Sequence, residues 1–128
     1  MGNTKGGKRV ILVVEDEPGI SQVCQRTLTA EGFEVDIAVN GAIAEEMLAK
    51  KKYDLCLIDI RTPIMNGKEL YQHIEEKYPE LANKVVFTTG DVLDEKLTSL
   101  LKGTNRAYLP KPFTPDELKT IVRQVLEG

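Results

Sequence analysis

Short apolar runs alternate along this chain with longer stretches whose apolar residues recur at helical spacing. Val10-Ile11-Leu12-Val13-Val14 is β-branched and of strand length. It ends in Glu15-Asp16-Glu17-Pro18-Gly19, where Pro18 suits a first helical position. Ile20, Val23, Cys24, Thr27 and Leu28 then keep a helical period up to Glu31-Gly32, which stops it. Phe33, Val35, Ile37 and Val39 alternate as a second strand, and Asn40-Gly41 turns into a helix carrying Ala44, Met47 and Leu48. Leu55-Cys56-Leu57-Ile58 is too short for a helix and is bounded by turn formers, as a strand covered on both faces would be. It ends in Asp59 and breaks at Pro63 and Asn66-Gly67.

The alternation continues to the end of the chain. Leu70, Tyr71 and Ile74 make a stripe that stops near Tyr78-Pro79. Val85-Val86-Phe87 is a fourth strand, closed by Thr88-Thr89-Gly90-Asp91, and Leu93, Leu97, Leu100 and Leu101 mark the next helix. A short fifth strand over 106–109 stops at Pro110-Lys111-Pro112. Thr114-Pro115-Asp116-Glu117 has the form of a capped helix start, after which Leu118, Ile121, Val122, Val125 and Leu126 face the core. Five strand–helix alternations predict one doubly wound α/β domain, a parallel sheet with helices on both faces. Residues 1–8, glycine-rich and almost without apolar side chains, read as a disordered leader, which leaves a domain over 9–128.

Composition narrows the function classes. A net charge of −3 gives no sign of the basic excess that a nucleic-acid footprint wants. No apolar run approaches a membrane span or the core of a signal peptide. The two cysteines, Cys24 and Cys56, lack metal-ligand spacing, and Cys56 sits in a buried run as a small core hydrophobe. A disulfide between them stays open, but nothing suggests an exported scaffold, and the expected compartment is the cytoplasm.

The chemistry gathers where the strands end. Strand one ends in Glu15-Asp16, strand three in Asp59, strand four in Thr88-Thr89, and strand five runs into Lys111. In open α/β sheets this carboxyl edge is where ligands bind. Taken alone, Asp59 fits a turn cap equally well. Three acids at one edge repel each other unless something positive sits among them. A hard divalent cation, Mg²⁺ or Mn²⁺, takes few carboxylates and leaves room for phosphate oxygens. Lys111 and a Thr hydroxyl beside it suit an anion. Together these residues describe phosphoryl transfer with a carboxylate nucleophile.

At these positions the chain resembles the receiver domains of two-component response regulators. Val13-Val14-Glu15-Asp16-Glu17-Pro18 is similar to the family's acidic pair after strand one, and 58–67 to its phosphoacceptor loop. Thr89-Gly90 and Tyr108-Leu109-Pro110-Lys111-Pro112-Phe113 are similar to its later motifs. The resemblance covers nearly everything after residue 8. It implies a flavodoxin-like (βα)5 fold, strand order 2-1-3-4-5, and phosphorylation of Asp59 from a phosphohistidine. It further implies Mg²⁺ held by Asp16, Asp59 and the backbone carbonyl of Arg61, with Glu15 acting nearby or through water. Lys111 would pair with Asp59 and then with the phosphoryl group, Thr89 would swing towards it, and Tyr108 would follow. A cis Lys111–Pro112 bond belongs to the same pattern.

Glu15 stands where Asp is commoner in the family, and the stretch from Gly103 to Tyr108 is one residue longer than usual. Arg61 and Asp91 flank the mouth of the site and are expected to pair across it, slowing attack by water. His73, Met47, Met65 and Thr88 have plainer readings: a solvated histidine, packing methionines, and a threonine facing away from Thr89. The implied partners are a histidine kinase or phosphotransfer protein and a downstream protein that reads the face of the fourth helix, fifth strand and fifth helix. A phosphorylation-dependent homodimer is a further expectation, and turnover of an external substrate is not expected. No output-domain pattern follows the last helix. The chain therefore reads either as a single-domain regulator or as a receiver from a hybrid histidine kinase or longer regulator. From a different class, a metal-dependent aspartyl-phosphate phosphatase would want two Asp separated by one residue after strand one, with its nucleophile there. A pseudo-receiver would want a lost acceptor or Lys.

Overall fold

The computed structural model describes residues 8–62, 64–90 and 95–128, with the backbone alone at Leu97. The expected leader (but for Lys8), Pro63, Asp91 and Leu93 lie outside the described residues. Five strands form one parallel sheet in the order β2-β1-β3-β4-β5: β1 Val10–Val14, β2 Glu34–Ala38, β3 Leu55–Asp59, β4 Val85–Thr89 and β5 Ala107–Pro110. The helices between and after them are α1 Pro18–Ala30, α2 Gly41–Lys50, α3 Gly67–Lys77, α4 Pro79–Ala82, α5 Glu95–Thr104 and α6 Pro115–Glu127.

Strand alternation sorts the core into two layers. Leu12, Val14, Cys56, Ile58 and Phe87 pack with Leu48 of α2 and Leu70, Tyr71 and Ile74 of α3. Ile11, Val13, Leu55, Leu57 and Val86 pack with Cys24 and Leu28 of α1 and Leu118 and Val122 of α6. β3 and β4 are buried along their whole length, as their unbroken apolar runs predict. Cys24 and Cys56 are free, buried, and on opposite sides of the sheet. Burial pushes the Cys24 thiol up to about 12 and raises Cys56 as well.

Several details differ from the expectations. The helix of Leu70, Tyr71 and Ile74 stops at Tyr78-Pro79 as expected, but Pro79 opens a further single turn, α4, that the pattern did not predict. The fourth and fifth helices of the sequence reading are therefore α5 and α6. Val39 is 51% exposed, since β2 ends at Ala38 and the chain turns into the N-cap Asn40. Val23 is also exposed, on the outer side of α1. His73 is only partly open to solvent: its side chain is half-buried, with Nδ1 3.1 Å from Glu45 Oε2 and its ring edge-on to Tyr78. Between Gly103 and Tyr108 the chain leaves α5, which ends at Thr104. Asn105 takes the left-handed conformation (φ 55°), and its N–H donates to the Leu101 carbonyl.

Candidate functional site

β1 and β3 are neighbours, and the register Val14↔Ile58 brings their carboxyl ends side by side. Glu15 and Asp16 leave β1 there, and Asp59 is the last residue of β3. Glu15 and Asp59 are buried, at 3% and 5% exposure, while Asp16 is open to solvent. One carboxylate oxygen from each of the three lies within 4.8 Å of the others. These are hard oxygen donors, partly open and partly buried, and they fit a divalent cation of the Mg²⁺ type.

Lys111 reaches the same point from the loop after β5. Its backbone N–H donates to the Thr89 carbonyl at 3.1 Å, and its peptide bond to Pro112 is cis. Its ammonium lies 2.7 Å from Glu15 Oε1, 3.0 Å from Asp59 Oδ2 and 3.7 Å from Glu17 Oε1. The expected partner was Asp59; the shortest contact is to Glu15. Burial pushes the Glu15 carboxyl up to about 7 against the hydrogen bond from Lys111, and the nearby Asp59 charge adds to the rise. Burial by itself would lower the Lys111 ammonium. Its hydrogen bonds to Glu15 and Asp59 outweigh that and hold it above its ordinary value.

The second oxygen of Asp59 is also engaged, since Oδ1 accepts the backbone N–H of Arg61 at 3.0 Å. The loop beyond is held by Thr62, which is buried and whose hydroxyl donates to the Met65 carbonyl at 3.1 Å. Asn66 then opens α3 through a capping box with Glu69. Ile64, between them, takes a left-handed backbone (φ 70°) and is 79% exposed. Thr89 ends β4, fully buried, beside Pro110 in register. Thr88 is buried too and lies opposite Asp59 in the register. Tyr108 is half-buried against the core layer of α2 and α3, and that burial raises its hydroxyl above its ordinary value.

The structure thus brings Glu15, Asp16, Asp59, Lys111 and the Arg61 amide together, with Thr89 bonded to Lys111 through the backbone. Tyr108 sits one strand out, and Asp91 lies outside the described residues. Two contributors were not read from the sequence. Glu17 adds a third carboxylate around Lys111. Gly41, read only as a turn residue, packs so closely that a Cβ there would lie 1.9 Å from the Met65 carbonyl oxygen. Neither has a local signal, because each depends on a partner distant in the chain.

Fold and site together define a small α/β domain with an acidic pocket at the carboxyl edge of its sheet. Residues 11–123 match the response regulator receiver domain, and the chain belongs to that family of two-component signalling proteins. It is 35% identical over 120 residues to a probable transcriptional regulator, ycf29, of Porphyra purpurea, covering 91% of this chain and 56% of that protein. It is 34% identical over 117 residues to the DNA-binding transcriptional regulator NtrC of Escherichia coli K12, covering 91% of this chain and 24% of that one. The chain spans about half or less of the length of these relatives. A solved CheY-like receiver domain protein of Methanospirillum hungatei JF-1 superposes with a TM-score of 0.85 at 26% identity, over 94% of both chains.

Proposed function

We propose that this domain is a phosphorylation switch in which Asp59 accepts a phosphoryl group from the phosphohistidine of a histidine kinase or phosphotransfer protein. The observation that carries the reading is the placement of Asp59. It is buried at the end of a central strand, 3.0 Å from Lys111 and within reach of Glu15 and Asp16. In the transfer the P–N bond to the donor imidazole breaks as an Asp59 oxygen forms the new P–O bond. Asp16, Asp59 and the Arg61 carbonyl would hold Mg²⁺ (or Mn²⁺), with Glu15 beside it. When bound, the cation neutralises charge building on the phosphoryl oxygens.

Lys111 supplies a second positive charge at the same place. It leaves Asp59 for the phosphoryl group, which makes transfer and conformational change one event. Thr89 offers its hydroxyl from the end of β4. Tyr108, half-buried beside it in the sheet, follows inward and changes the α5–β5–α6 face that a downstream protein or a second copy reads. This is self-modification, without turnover of an external substrate or direct nucleic-acid contact. Among the described residues no helix is long and apolar enough to cross a membrane, and we place the domain in the cytoplasm.

The test is intact-protein mass after incubation with acetyl phosphate and Mg²⁺. One phosphoryl addition is expected, absent with EDTA and absent in Asp59→Asn. Addition that persists in Asp59→Asn would reject the assignment.

A further inference from the structure

A cavity of about 480 Å³ opens at the other edge of the sheet, between the ends of α2 and α3. It lies the length of β3 away from Asp59, roughly 16 Å at the usual rise per residue. Its floor is apolar: Leu48, Tyr53 and Leu81 line it, and all three are buried. Its rim is cationic, with Lys50, Lys51, Lys52 and Lys77 all exposed and Glu80 the one acid in the lining. Lys51 is committed to Glu34 and Asp36, and the Tyr53 hydroxyl also donates to Asp36 at 2.8 Å. Among the described residues, Lys50, Lys52 and Lys77 have no ion pair.

The plain account of Lys50 and Lys77 is that each sits in the last turn of a helix, where a cation complements the carbonyl end. That account does not reach Lys52, which lies beyond α2. Nor does it explain why a chain of net charge −3 gathers four lysines around one apolar-floored hollow. The volume falls in the range of small-molecule sites, which pair an apolar floor with a few charged groups. Three uncommitted ammonium groups suit phosphate oxygens, and the half-buried ring of Tyr78 flanks the same space.

We propose that this cavity is a second ligand site, independent of the phosphoacceptor, for a small phosphorylated molecule with a flat organic body, of the nucleotide class. Its phosphates lie against Lys50, Lys52 and Lys77, and its body lies on the floor beside Tyr78. The test is a titration of the ¹⁵N-labelled, metal-free protein with ADP, pyrophosphate and adenosine in parallel, followed by amide shifts. ADP is expected to move the amides of 48–53 and 77–81 and to bind about tenfold more tightly than either fragment. Lys52→Glu with Lys77→Glu should weaken ADP by about tenfold or more, and the paired Gln variants by less, with the rest of the spectrum unchanged. Shifts confined to the surroundings of Asp59, no shifts at millimolar ADP, or binding that survives charge reversal would overturn the site. Pyrophosphate binding as tightly as ADP would overturn the nucleotide class.

Discussion

Glu15 is a buried carboxylate that shares one ammonium with Asp59, and its protonation follows first from burial and then from the nearby Asp59 charge, against the hydrogen bond from Lys111. Its carboxyl rises from 4.5 to about 7 in the folded, metal-free protein. Below pH 4.5 both folded and unfolded chains hold the proton. Between 4.5 and 7 only the folded chain holds it, so stability falls as pH rises through this window and levels off above it. The full effect is on the order of 3 kcal/mol at most. Glu15→Gln removes the titrating group. Urea unfolding without metal should show the variant gaining on the wild type from pH 4.5 to 7, and a constant difference across that range would refute the assignment. Gly67 sets a steric condition instead: a Cβ there would lie 2.7 Å from the Ile60 Cα and 3.2 Å from the Asp59 carbonyl oxygen. Backbone cannot yield as a flexible side chain does. Gly67→Ala should therefore destabilise by about 3 kcal/mol and slow the proposed phosphorylation of Asp59, measured by denaturation and by mass. Asp59, Lys111 and Gly67 were legible because each stands in a local pattern of strand end and turn. The tight approach of Gly41 to Met65 was not, because it joins the start of α2 to a loop well separated from it in the chain.

At the level of elements, ends were read best where the signal is local. Thr114 caps α6 with Glu117 and Pro115 in their expected roles, and Gly32 ends α1 with a positive φ of 96°. The turn α4 was missed because a proline serves equally to stop one helix and to start the next. His73 was misread because exposure on one helix says nothing of the neighbour, here Glu45 of α2, that covers it. The far end of α6 is another such case. Its last carbonyls would be orphaned, and Lys84, just before β4, reaches across to donate to Val125 at 2.9 Å. Lys84→Met keeps the apolar stem and removes the donor. It should cost about 1 kcal/mol and lower amide-exchange protection in the last turn of α6 alone. Protection lost evenly over the whole domain would mean that Lys84 stabilises something other than this helix end.

The molecule as a whole does what no segment does: it brings residues 15, 16, 59 and 111 to one point. Strand order 2-1-3-4-5 puts β1 beside β3, and Lys111 crosses β4 to meet them. The unfolded chain keeps these carboxylates apart and offers a cation no comparable site. Without metal, Lys111 faces Glu15, Glu17 and Asp59 together, an arrangement one positive charge cannot balance. A divalent cation seated among Glu15, Asp16 and Asp59 would supply the missing charge to the folded state alone. Added Mg²⁺ should then raise the unfolding temperature in proportion to the logarithm of its concentration. At a hundredfold excess over Kd the gain is about 2.7 kcal/mol. Asp16→Ala removes the solvent-facing carboxylate without disturbing the buried pair, so it should abolish the Mg²⁺ shift while leaving metal-free stability close to that of the wild type. An Mg²⁺ shift that persists in Asp16→Ala would place the cation elsewhere on the acidic surface. Loss of the shift together with loss of fold, read by circular dichroism, would instead show that Asp16 is needed for the fold itself.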